Sequence, residues 1–324
     1  MAERQAVMLA LNPRPKPKEV PKLREFAEEF MAGYVASRNK PSERANKRSV
    51  LDMHLYPAFG DRRLDSIGLR DIDAFRARLL KDGRKAKTAN NVVGVLRRIL
   101  RYAVDTEVMK RAPRIEALKV MQQPFDFLTF EELDRLCVGA EAEPTVVAAI
   151  LLGAHAGLRR GELIGLAWDD VDLKASTPQL KVRRASWRGE LTSPKGGRER
   201  TVPLSERLVK ALKTIRSLNP TVLTRETGEP WNWEVMRFAL PRSCKRAGLR
   251  SIGWHSLRHT FCSHLAMRGA PAKAIQELAG HADLHTTLRY MHLAPATLVE
   301  AVRLLDEGSP AVAKTWRKAV SEAE

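Results

Sequence analysis

The sequence predicts a mainly α chain with a small β-sheet, arranged as a helical N-terminal domain followed by an α+β C-terminal one. Three observations carry this. Apolar residues recur at helical spacing across residues 23–108. A polar, proline-bounded stretch over residues 110–127 interrupts that pattern and reads as an interdomain linker. Beyond it, helical patterns alternate with one β segment, residues 179–185 and 199–204, on either side of a Gly196-Gly197 turn. A length of 324 residues is enough for two modest cores.

Residues 1–20 include Asn12-Pro-Arg-Pro-Lys-Pro-Lys, in which the prolines prevent a helix; a flexible basic arm is expected. Residues 21–110 form the helical domain. Phe26, Phe30 and Tyr34 fall at four-residue steps, and Val92, Val95, Leu96, Ile99, Leu100 and Ala103 make an apolar stripe with Arg97, Arg98 and Arg101 off it. About four helices fit, divided near Pro57 and Gly60, at residues 65–71 and near Gly83. After the linker, placed at 111–127, the second domain runs over 128–306. Thr129 before Glu132 is a capping-box pattern that starts its first helix. From Glu206 onward the pattern is helical to the end, with residues 307–324 as a tail. Residues 293–305 carry Leu298, Val299, Val302, Leu304 and Leu305 on an amphipathic stripe.

Lys+Arg number 56 against 38 Asp+Glu, a formal charge of +18, which points to a polyanionic partner such as DNA or RNA. The longest apolar run, residues 146–153, is too short to cross a bilayer. Cys137, Cys244 and Cys262 are far apart and odd in number. They read as reduced thiols of a cytoplasmic or nucleoid protein, not as a disulfide frame or a zinc site.

The chemistry concentrates near the C-terminus. Six of the chain's 8 histidines lie between residues 255 and 292, together with Tyr290, the sole tyrosine after Tyr102. The stretch reads His255-Ser-Leu-Arg258-His-Thr, then Leu278-Ala-Gly-His281, then Thr287-Leu-Arg-Tyr290-Met-His292. A phenol among imidazoles and guanidiniums suits attack on a phosphate diester. A helix beginning near His255 sets Arg258 and Cys262 on one face beside an apolar stripe of Leu257, Phe261 and Leu265. Upstream, Gly157-Leu-Arg159-Arg-Gly-Glu162-Leu places an arginine between two helices. Thr192-Ser-Pro-Lys195-Gly-Gly-Arg-Glu-Arg200 places a lysine in or beside a hairpin. Singly, each is more often an ordinary surface charge or a satisfied core residue.

Together and in this order, these segments resemble the tyrosine recombinases, the phage-integrase family, over residues 128–300. The helical domain is similar at pattern level to that family's core-binding domain. The resemblance implies that Tyr290 attacks the scissile phosphate to give a 3′-phosphotyrosyl bond. His255 would be the base, Arg159 and Arg258 would hold the non-bridging oxygens, Lys195 would be the general acid, and His281 a hydrogen-bond donor. It implies no cofactor and no metal, because the phosphotyrosine conserves the energy of the broken bond. It also implies a partner in duplex DNA and a homo-tetramer on two DNA sites joined by exchange of the C-terminal tail. Arg160, His259, His264, His285 and His292 are expected to be structural or DNA-facing. Cys262 is expected to fill the core and Glu162 to orient nearby arginines, while Arg200 could equally touch phosphate or be solvated.

Three other readings compete. A type IB topoisomerase would share the chemistry and relax DNA without a specific site. A metal-dependent transposase or nuclease would use Asp169, Asp170 and Asp172, which look structural. A DNA-binding accessory protein would need no intact site.

Overall fold

The computed structural model describes residues 19–121, 125–194 and 197–294. Most of the N-terminal arm, Lys195 and the tail beyond Ala294 lie outside the described residues. The chain divides into two compact units, 1–123 and 124–324.

The first unit is helical. Its main helices are α1 (Leu23–Phe30), α2 (Pro41–Val50), α3 (Leu69–Lys81) and α4 (Ala86–Asp105), with π turns at Met31–Val35 and Leu51–Leu55 and a short helix at Tyr56–Phe59. The long break falls between Phe59 and Leu69, and a second at Asp82, where Gly83 takes φ +79°. Pro41 starts α2, where its missing N–H costs no bond. On α4, Val92, Leu96, Ile99, Leu100 and Ala103 are buried, and each large apolar side chain contributes about 2 kcal/mol. The aromatic steps also meet: Phe30 stacks on Tyr34 at 5.1 Å, and Tyr102 lies 5.4 Å from Phe30. The segment following α4 is pinned to this unit. Asn90 bonds both the N–H and the carbonyl of Leu118, and Ile115 is buried.

The second unit is built around α6 (Pro144–Ala156), which is apolar nearly all round and therefore central. Before it comes α5 (Phe130–Gly139), capped by Thr129 and Glu132. After it come α7 (Arg160–Gly165), five short strands, and then α8 (Glu206–Thr214), α9 (Trp233–Arg246), α10 (Trp254–Met267), α11 (Ala272–Ala279) and α12 (Leu284–Leu288). Helix α10 packs close against α6, where a Cβ at Gly153 would stand 2.9 Å from that of Leu257. A Trp168 turn leads into β1 (Val171–Asp172), which pairs antiparallel with β2 (Gln179–Val182), itself paired with β5 (Arg200–Pro203) in the register Leu180↔Val202.

Two expectations need correction. The strand candidates 179–185 and 199–204 do pair, as β2 and β5, but the first is shorter than expected. β2 ends at Val182 because Arg183 and Arg184 both turn to the buried Asp170 carboxylate. A separate hairpin then forms, β3 (Ala185–Trp187) with β4 (Glu190–Thr192), its tight turn using Arg188 at φ 50° and Gly189 at φ 88°. Nor is the chain helical throughout after Glu206. Between α8 and α9 it runs irregularly, fastened by bridges Ala167↔Thr221 and Thr224↔Pro230.

Gly157 ends α6 at φ +64°, and a Cβ there would approach Phe261 to 2.6 Å. Gly157→Ala meets both penalties, left-handed backbone and overpacking against α10. It should lower stability by about 2–4 kcal/mol, read as the shift of a urea unfolding midpoint.

Candidate active site

Helix ends carry the site. Gly157 turns the chain out of α6 so that Arg159 caps α7, with Glu162 three residues on reaching back to the Arg159 backbone N–H at 2.9 Å. The Arg159 guanidinium donates from Nη1 to Glu162 Oε1 at 2.9 Å and from Nη2 to the Gly280 carbonyl at 2.8 Å. Gly280 closes α11 in the left-handed conformation and delivers His281 to the same place.

Arg258, on α10, is only 2 % exposed. Its Nη1 donates to the Gly157 carbonyl at 2.6 Å, while its Nη2 is buried with no hydrogen-bond partner among the described residues. Burial, with Arg159 and Arg200 nearby, pushes its pKa down to about 10. A buried guanidinium edge short of an acceptor, among other cations, is suited to an anion.

Tyr290 follows α12 and is 1 % exposed. Its ring stacks on Phe125 at 4.4 Å and lies parallel to His281 at 6.2 Å; its hydroxyl is 2.6 Å from His259 Nδ1. Phe125 also stacks on His259 at 4.3 Å, and Arg289 sits over the outer face of Phe125. Burial raises the phenol's pKa, and the neighbouring Cys262 thiol, itself buried, raises it further. Burial lowers His259 to about 4, aided by His255, Arg258 and Arg289, so the ring that shares a hydrogen bond with the phenol is neutral at pH 7. Burial and the Arg258 and Arg159 charges lower His281 to about 3, and its Nδ1 pairs with Thr287 Oγ1 at 2.8 Å.

Arg159, Arg258, His281 and Tyr290 are thus brought together, and His255 is exposed at their edge, its ring 4.5 Å from that of His259. Lys195 lies outside the described residues. The sequence points to His259 as structural or DNA-facing, whereas its ring meets the phenol oxygen, and says nothing of Phe125, which covers the phenol. It left Arg200 undecided, and the side chain proves 7 % exposed and paired with Glu162. The adjacency of His259 to the His-x-x-Arg pattern was the available signal; for Phe125 there was none. Arg160 stacks on Trp233 at 3.1 Å, and burial lowers its pKa. Asp170 is taken up by two arginines and Asp172 by the backbone N–H groups of Lys174 and Ala175, which makes both structural. Among the described residues no His, Cys, Asp and Glu cluster has metal-binding geometry. No described helix is long and apolar enough to cross a membrane.

The phage integrase family matches residues 126–297, and the phage integrase central domain matches residues 23–117. A tyrosine recombinase of Thermosipho africanus is 28 % identical over 290 residues, 86 % of this chain and 98 % of the relative. The tyrosine recombinase XerC of Thermodesulfovibrio yellowstonii is 31 % identical over 249 residues, covering 71 % of this chain and 79 % of its own length. The ICEBs1 integrase of Bacillus subtilis is 25 % identical over 291 residues, 83 % and 78 % of the two chains. In fold, the chain is similar to the Tn1549 transposon integrase solved with transposon right-end DNA, at TM-score 0.72 and 20 % identity over 87 % of this chain and 97 % of that one. It is also similar to a lambda integrase tetramer on a Holliday junction, at TM-score 0.68 and 19 % identity over 92 % and 88 %.

A histidine kept neutral by burial makes stability depend on pH. Below about pH 6.5 the unfolded chain takes up a proton that the folded His259 refuses until about pH 4. Stability is therefore complete above that window and lost as pH falls through it. Melting temperature should drop between pH 6.5 and 4, and the drop should be shallower in His259→Gln; an unchanged slope would remove His259 as a source.

Proposed function

Because the chain belongs to the phage integrase family and is a tyrosine-type site-specific recombinase, we propose that Tyr290 is its nucleophile and that Arg159, Arg258 and His281 receive the scissile phosphate of duplex DNA. The observation that carries this is the buried Arg258 edge, short of an acceptor and set beside Arg159, His281 and the phenol. A planar guanidinium matches two phosphate oxygens and stabilises the charge that grows on them in the transition state.

The reaction follows. The Tyr290 oxygen attacks phosphorus, its proton leaves to a base, and the bond to the 5′-oxygen breaks. This yields a 3′-phosphotyrosyl bond and a 5′-hydroxyl, which takes a proton from the general acid. Attack by a second strand's 5′-hydroxyl reverses the step and rejoins DNA, so no external energy source is required. His255 is the base and Lys195 the acid. In the resting protein the phenol lies against His259 and under Phe125, and its burial favours the protonated form. His281 is neutral at pH 7, a state in which an imidazole N–H can still donate.

The integrase names of the ICEBs1 and Tn1549 relatives favour integration and excision of a mobile element as the role. The active assembly is a homo-tetramer on two DNA sites, a reading that the lambda integrase tetramer on a Holliday junction supports, and its protomers would be joined through the C-terminal tail. The protein works in the cytoplasm, on the nucleoid, and the net charge of +18 supports DNA as its partner. The helical unit (21–110) would grip DNA as the core-binding domain, and the unit beyond the 111–127 linker would hold the reaction.

Nicked duplexes made from DNA flanking the protein's own gene, incubated in chelator, should yield a denaturant-stable adduct with wild type and none with Tyr290→Phe. Both proteins should bind alike, and binding should weaken about 1000-fold or more as salt rises from about 50 to 200 mM. Salt-sensitive binding without adduct would favour an accessory protein, and relaxation of any supercoiled plasmid a topoisomerase.

A further inference from the structure

Arg200 stands on β5, five residues after Lys195, and its whole guanidinium is engaged inside the protein. Nη1 and Nη2 donate to Glu162 Oε1 and Oε2 at 3.1 and 2.7 Å, and Nε donates to the Leu278 carbonyl at 2.9 Å. Glu162, its side chain 1 % exposed, also binds the backbone N–H and Nη1 of Arg159. Burial works against ionisation of Glu162, but the Arg200 hydrogen bond and charge, with Arg159, outweigh it and hold its pKa low. At Gly280 a Cβ would stand 3.0 Å from Arg200 Cδ, so the arginine lies directly against the turn that presents His281.

A buried carboxylate with a single cationic partner would neutralise that partner. Arg159 alone with Glu162 would therefore offer phosphate little net charge. With Arg200 supplying the second cation, the trio keeps one positive charge, and Arg159 carries it where phosphate can reach. The Leu278 carbonyl contact separately fastens the last turn of α11 ahead of His281.

We propose that Arg200 is a positioning residue for strand cleavage, compensating Glu162 so that Arg159 remains available to the scissile phosphate and fixing the α11 end that carries His281. The inference rests on the recombinase reading. Because Arg200 itself is covered, its removal should change the rate and not the grip on DNA.

Single-turnover adduct formation on a nicked duplex tests this, with melting temperature measured alongside. Arg200→Gln should cut the rate about 100-fold while duplex affinity stays within about twofold. Arg200→Lys, which keeps the charge without the planar fork, should retain more of the rate. In a Glu162→Gln background, where there is no charge left to compensate, Arg200→Gln should cost less than about tenfold. Equal losses in both backgrounds, tracking a loss of melting temperature, would mean a purely structural residue and overturn the proposal. A folded Arg200→Gln protein with the wild-type rate would overturn it too. If Arg200→Gln does not fold, Arg200→Met, which also removes the charge, is measured in the two Glu162 backgrounds and judged by the same criterion. Absence of adduct with wild type would instead overturn the recombinase premise.

Discussion

Charge imbalance in a buried place governs the second unit. Arg159, Arg200 and Arg258 come together around Glu162, and the carboxylate is bonded to two of them. Charges removed from water are costly unless matched, and the match here is left incomplete. The surrounding structure supplies what it can: the Gly157 carbonyl for Arg258, the Gly280 carbonyl for Arg159 and the Leu278 carbonyl for Arg200. Each carbonyl comes from a helix end, where the last C=O groups have no partner within the helix. Helices α6 and α11 stop where they do in left-handed glycines, Gly157 and Gly280, whose turns bring the carbonyls to the arginines. The folded protein is thereby left short of negative charge, which an anion can supply.

The proposed nucleophile obeys a second constraint. A phenol in water is mostly protonated at neutral pH, and burial makes its ionisation harder still. Tyr290 lies against a neutral His259 and under Phe125, so the resting protein keeps it away from bulk water and its burial favours the protonated form. The stack costs little to maintain, since the ring also fills a small core with Phe261, Ile275 and Ala279.

The helical unit was legible because its apolar residues repeat at helical spacing, and the stripe on α4 is the face that packs. The start of α5 was legible because Thr129 and Glu132 satisfy one another's backbone groups within four residues, independent of any distant contact. The strand ends were not. Val182 is followed by two arginines whose destination is Asp170, more than ten residues earlier, and local pattern carries no record of that pairing. Phe125 likewise gave no sign of covering Tyr290, 165 positions later.

By itself, then, the sequence determined which chemical groups are present and in what order: Arg159, Lys195, His255, Arg258, His281 and Tyr290. These depend on residue identity and near neighbours, which a sequence contains in full. Tertiary structure alone decided how those groups are occupied. It turned His259 toward the resting phenol, buried Arg200 against Glu162, and left one edge of Arg258 without an acceptor among the described residues. Those outcomes depend on which side chains meet after the helices pack and on how much water is excluded between them, and both are properties of the folded whole.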